Sequence, residues 1–172
     1  KYSMFNPSHH GKEIIDMMTQ SDLEKSAVEA VTDKLNGLLA DYHIIYGHLH
    51  ALHWNIEGKR FFTVHKELED LYDGIAEDID DVAERILSLG RRPVTTFKEY
   101  LEISSLEELE SRKYTAEETT KLVLKDLDHQ ISAVRALIEV AGEHNDEGTA
   151  DFGVEMLRKY EKSRWMWSAF AD

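Results

Sequence analysis

Val28, Val31, Leu35, Leu38, Tyr42, Ile45, Leu49 and Leu52 recur at steps of three and four without a break. That period marks one apolar face of a helix over residues 22–56, roughly ten turns long. A stripe of that length cannot be buried by the helix itself. It requires partner helices of comparable length, which makes a helical bundle the expected architecture. Ser21 and Glu24 have the spacing of a capping box at its start.

The rest of the chain supplies the partners. A second helix is expected over 62–89, with Leu68, Ile75, Ile79, Val82, Ile86 and Leu89 inward, Gly90 as a stop and Pro93 barring continuation. A third is expected over 116–141, opened by a Thr115/Glu118 capping box and closed by Gly142. A fourth covers 147–170, with Phe152, Met156, Tyr160, Trp167 and Phe170 inward. Short links make helices one and two, and helices three and four, antiparallel neighbours. Residues 90–114 are long enough to run back along the bundle, with a short helix expected at 105–110. The fold class is therefore all-α, a ferritin-like four-helix bundle of two hairpins and one long crossover. The bundle domain spans 21–172. Residues 1–20 form an N-terminal extension with a short helix expected over 12–19. Lys1 in first place points to a trimmed or processed start.

Composition narrows the function classes. There are no cysteines, which excludes disulfides and thiolate metal sites and fits a reducing, cytoplasmic setting. No apolar run is long enough for a bilayer, so no membrane partner is expected. Lys and Arg number 20 against 34 Asp and Glu, a formal net charge of −14. Such a surface repels nucleic acid and attracts cations.

The second helix carries the chemistry. It holds nine acids from Glu67 to Glu84, and for most of them a solvated acidic face is the better reading. Four positions stand apart. With His65 at zero, Glu69, Asp80 and Glu84 fall at about 40°, 60° and 100° around the helix, one stripe of imidazole and carboxylates beside the apolar one. Along the axis Glu69 and Asp80 are ~16 Å apart, too far for one metal. A second, antiparallel copy of the helix closes the gap. The pairs 65/84 and 69/80 share one midpoint, between Gly74 and Ile75, where a two-fold axis would pass and the glycine would allow backbones to approach. Each of two equivalent sites then takes His65 and Glu69 from one chain and Asp80 and Glu84 from the other. His53, at the end of helix one, is the natural fifth ligand. Imidazole with several carboxylates suits iron, manganese or zinc. The competing reading pairs His65 and the acids with Lys66 and Arg85. The shared midpoint favours the metal.

His53-Trp54-Asn55, Gly58, Val64-His65, Asp80 and Glu84-Arg85 resemble the signature of the Dps family of mini-ferritins, over about residues 22–170; Trp165 matches a further family position. The resemblance implies a twelve-subunit hollow shell built from two-fold dimers. It implies oxidation of ferrous iron at the dimer interfaces, preferably by hydrogen peroxide, and storage as ferric mineral. The ferroxidase ligands it implies are His53, His65, Asp80 and Glu84. This chain has Glu69 where the family usually has aspartate. The extra methylene changes reach, which points to a weak second iron or slow turnover. Trp54 is implied as a redox aromatic, with core packing the safer reading. Acids at the start of helix four, Asp146, Glu147 and Asp151, are implied to line a negative three-fold pore for iron; ordinary acids at a helix N-terminus are an even alternative. His43, His48 and His50 read as surface or core histidines, and His9 and His10 as incidental.

DNA is the family's other partner, usually through a basic tail that would place the protein at the nucleoid. Here Lys1, Lys12 and Lys25 face Glu13, Asp16, Asp22 and Glu24. Lys1 and Lys12 are the candidate contacts, made multivalent by assembly. The alternative to the iron-oxidising reading is a DNA-coating shell with a weakened metal centre. A bundle with no metal function is the third reading.

Overall fold

The structure, a computed structural model, describes residues 23–171. The expected 12–19 helix, His9, His10, Lys1 and Lys12 lie outside them. Five helices follow in order: α1 Lys25–Asn55, α2 Phe61–Ser88, α3 Phe97–Ile103, α4 Ala116–Glu143 and α5 Glu147–Ala171. The four long ones match the four read from periodicity. The α1 stripe is the centre of the core: Val31, Leu35, Leu38, Tyr42, Ile45, Leu49 and Leu52 are each at most 3% exposed. Fully burying side chains of this size stabilises the fold by about 1.5–3 kcal/mol apiece. No described helix is long and apolar enough to cross a membrane.

Local chemistry sets the helix ends. Gly90 takes a left-handed φ of 76°, and its N–H and that of Arg91 donate to the carbonyls of Leu87 and Ile86. That is the glycine stop expected for α2. Two other ends differ from expectation. Gly142 lies inside α4, which runs on to Glu143; the left-handed residue is Asn145, φ 55°. Asparagine tolerates that conformation among non-glycine residues. The N-cap of α1 is Glu24, whose side chain makes no cap bond. The expected Ser21/Glu24 box involves Ser21, which lies outside the described residues.

The crossover is the main correction. Its helix is Phe97–Ile103, not 105–110. Thr96 and Glu99 form a reciprocal capping box there. Residues 104–110 are instead a strap held by tertiary bonds. The crossover climbs α1 in register: Val94 N–H donates to Asn36, Ser104 Oγ to Asp41, His48 Nε2 to the Glu107 carbonyl, and Tyr114 N–H to the Asn55 carbonyl. The crossover therefore runs parallel to α1 and delivers α4 beside the end of α1. A parallel bridge between Ile56 and Tyr114 closes that end. This tie holds the α1–α2 turn, and so the turn that joins the two histidine-bearing segments.

Two imidazole–carboxylate pairs lie beside the strap, one buried and one part-buried. His48 Nδ1 is 3.0 Å from Asp126, and His129 Nε2 is 2.6 Å from Asp41. Both ring nitrogens of His48 face acceptors, a carboxylate and a carbonyl, an arrangement that favours the protonated ring. His43 stacks on Tyr100 of α3 at 3.9 Å. Both histidines are thus structural, as expected.

Candidate metal centre

His53 ends α1, and His65 sits one turn into α2. The link between the helices turns back through Gly58 and Arg60, both left-handed, φ 94° and 69°. This turn brings the two imidazoles face to face, 3.7 Å between centroids and 20° between planes. His53 Nδ1 lies 2.8 Å from the His65 carbonyl, and His65 Nδ1 lies 2.9 Å from the His53 carbonyl. A carbonyl only accepts, so each Nδ1 carries the proton. That leaves Nε2 as the nitrogen through which either ring could ligate a metal. Phe61 stacks on the outer side of His65 at 4.9 Å and restricts its rotation.

The carboxylate half of the stripe is equally unengaged. Glu69, Asp80 and Glu84 are exposed, and make no side-chain hydrogen bond or ion pair with another described residue. The cations of the competing reading are committed elsewhere. Lys66 pairs with Asp70 at 3.0 Å, and Arg85 reaches Asp146 and Thr149 on α5, both at 2.9 Å. Among the described residues no three His, Asp or Glu side chains of one chain converge on a common point.

The structure changes the role given to Gly74. Its carbonyl accepts from Lys159 Nζ at 3.2 Å, and a Cβ built there would lie 3.6 Å from the same atom. Gly74 therefore faces α5 of its own chain, on the side of α2 away from His65. At the same midpoint the exposed pair Asp73 and Ala76 lies on the metal stripe. Ala76, not Gly74, is the small residue exposed on that face.

Two further positions differ from expectation. Asp146 is 4% exposed: one oxygen accepts from Arg85 and from the Thr149 N–H, and the other from the Thr149 hydroxyl. It caps α5 and ties α5 to α2, so it is not available to line a pore. Glu147 and Asp151 are exposed. Trp54, for which core packing was the safer expectation, is 71% exposed within the chain. Trp165 is exposed as well.

One residue beside the site escaped the sequence reading. Tyr72 lies edge-on to His53, 5.2 Å between centroids, and stacks on His50 at 4.3 Å. Seven residues after His65, it falls on the same side of the helix. A wheel plotted for aromatics as well as for His and acids would have found it.

Comparison with known proteins agrees with this fold. A family model described as a ferritin-like domain matches residues 32–172. The DNA protection during starvation protein 2 of Bacillus anthracis is 39% identical over 142 residues, 83% of this chain and 97% of that one. The DNA protection during starvation protein of Porphyromonas gingivalis is 41% identical, over 87% of this chain and 93% of that one. A Dps protein from Vibrio cholerae O1, described as a member of a broad superfamily of ferritin-like diiron-carboxylate proteins, superposes with a TM-score of 0.84. Its identity is 32%, over 87% of this chain and 94% of that one.

Proposed function

Because the chain belongs to the Dps branch of the ferritin-like family, we propose that it is a mini-ferritin that binds ferrous iron between two subunits, oxidises it with hydrogen peroxide and stores the ferric product. The observation that carries this reading is the pairing of two Nε2 atoms left for a ligand with an unengaged carboxylate stripe whose members share one midpoint. An antiparallel second copy of α2 would place Asp80 and Glu84 of the partner opposite His53, His65 and Glu69. Iron is here the substrate. Imidazole nitrogens bind the ferrous ion, and the carboxylates favour the harder ferric product. Two ferrous ions each give one electron to one peroxide, whose O–O bond breaks to two molecules of water with two protons. No hydroxyl radical is released, so the physiological role is detoxification. Glu69 lengthens one ligand and weakens the second iron position.

The twelve-subunit shell implied by the resemblance would give the mineral its space, with Glu147 and Asp151 lining the pore through which iron enters. Removing iron and peroxide protects DNA without touching it. The charge of −14 disfavours phosphate contact, which ranks the DNA-coating shell second. The test is Asp80→Ala. Peroxide-driven iron oxidation is expected to vanish while assembly persists. An unchanged rate would remove the assigned site.

A further inference from the structure

Gln130 lies in the middle of α4 and is 2% exposed, and its amide Nε2 meets no partner among the described residues. A buried donor without an acceptor is costly, so such a group calls for a bound molecule. Four residues earlier on the same helix, Asp126 is 4% exposed and gives Oδ2 to His48 Nδ1 at 3.0 Å. Its Oδ1 accepts from no described residue and is not sealed off, so it faces open space. Both residues border one cavity of about 100 Å³ at the centre of the bundle, to which α1, α2, α4 and α5 all contribute. The lining runs from buried Ile45 and Leu127 out to exposed Asp70 and Lys159, so the cavity opens between α2 and α5.

The charges around the cavity are already paired. Asp78 takes Lys159 Nζ and the Tyr160 hydroxyl, both at 2.7 Å, Asp70 takes Lys66, and Asp126 takes His48. What is left over is one N–H and one carboxylate oxygen on the same face of α4. An anion there would face Asp78 and Asp126, and among the described residues no three metal-ligating side chains converge. The occupant that fits is small and neutral and both donates and accepts. The geometry points to a hydration site inside the bundle, about three ordered waters at ~30 Å³ each, bridging Gln130 Nε2 to Asp126 Oδ1. Its consequence lies on the other side of Asp126. That carboxylate holds His48, and His48 holds the strap through the Glu107 carbonyl at 2.8 Å. The waters satisfy the oxygen that His48 leaves over and so fix the carboxylate that anchors the strap. Gln130 is a positioning residue for the crossover, acting through water. None of this depends on iron.

Two measurements test it on the assembled protein. Crystals of the parent, at a resolution that shows waters, should hold ordered waters within hydrogen-bond distance of both Gln130 Nε2 and Asp126 Oδ1. Under xenon pressure the cavity should take up no xenon, which a dry cavity of this size binds. Gln130→Met keeps the length of the side chain and removes its hydrogen bonding. In a filled site this variant should lower the unfolding midpoint by roughly 2–10 °C at matched protein concentration. Deuterium exchange should also quicken at the backbone amides of 104–110 more than elsewhere in the chain. A cavity that binds xenon, or a Gln130→Met protein as stable as the parent or more so, overturns the hydration site. A lowered midpoint with unchanged exchange in the strap overturns the positioning role and leaves the waters.

Discussion

The imidazoles of His53 and His65 stack at 3.7 Å, and each donates its Nδ1 proton to the main-chain carbonyl of the other. This reciprocal bond joins the last turn of α1 to the first turns of α2. It orients both rings and commits each Nδ1, so that Nε2 is the nitrogen left for a ligand. Removal of either ring takes away a donor and the surface against which the other ring is oriented. His53→Ala and His65→Ala are each expected to weaken ferrous binding by about 10–100-fold. The double variant is expected to be little worse than either, because residues in contact are not additive. Anaerobic titration followed by Trp54 fluorescence measures this. Full additivity would mean that the rings act independently.

Glu69→Asp shortens the one ligand that departs from the family pattern. The expected outcome is tighter binding of a second ferrous ion per site and faster peroxide consumption. Calorimetric titration of the anaerobic protein reads the stoichiometry. An unchanged second step would place the weakness elsewhere.

Arg85 is expected to matter for stability and not for ligation. Its guanidinium meets the buried Asp146 carboxylate and the Thr149 hydroxyl. Arg85→Ala leaves Asp146 buried with its charge uncompensated. The loss is roughly 2–4 kcal/mol, because removing one partner strands the other. Thermal unfolding at matched protein concentration checks it. Retained stability with lost iron binding would assign Arg85 to the metal site instead.

Acidity should act through the strap. Burial works against the charge of His48, but the hydrogen bond and charge of Asp126 outweigh it and hold its pKa above the ordinary value. The Asp41 hydrogen bond does the same for His129 against the effect of burial. Burial would raise Asp41, yet His129 and Ser104 hold it below the usual carboxylate range. Raised histidines stabilise the fold fully below their unfolded pKa of about 6.5, and that contribution fades as pH rises through the folded values. The Asp41 contribution is present above about 3.9 and fades as pH falls through its lowered value. Stability is therefore expected to peak in mildly acidic solution and to decline toward alkaline pH. Unfolding midpoints across pH measure this, and the His48→Gln/His129→Gln double variant should flatten the alkaline side.

Full-length protein is expected not to shift duplex DNA at physiological salt, because its charge is −14. A gel-shift assay beside a chain lacking residues 1–20 decides. A shift lost with those residues would favour the DNA-coating reading.

The sequence carried the bundle and the metal stripe because both are periodic. The 28-to-52 apolar run and the 65/69/80/84 set repeat at helical angles and need no tertiary knowledge. What escaped was set by contacts between distant residues. The strap at 104–110 is not helical because Asp41 and His48 take its polar groups. Gly74 lost its axial role because Lys159 occupies the side it faces. Asp146 left the pore set because Arg85 lies sixty-one residues earlier in the chain, yet 2.9 Å away. The capping box at Thr96 was legible, since it repeats the spacing recognised at Thr115.

Complementation between two damaged chains tests the shared site most directly. One chain carries His65→Ala and Glu69→Ala, and the other Asp80→Ala and Glu84→Ala. Each alone should assemble and oxidise no iron. When they are co-assembled, one of the two sites in every mixed dimer is whole, so about a quarter of parental activity should return. Mixed shells no more active than either parent would contradict a centre built across the two-fold axis.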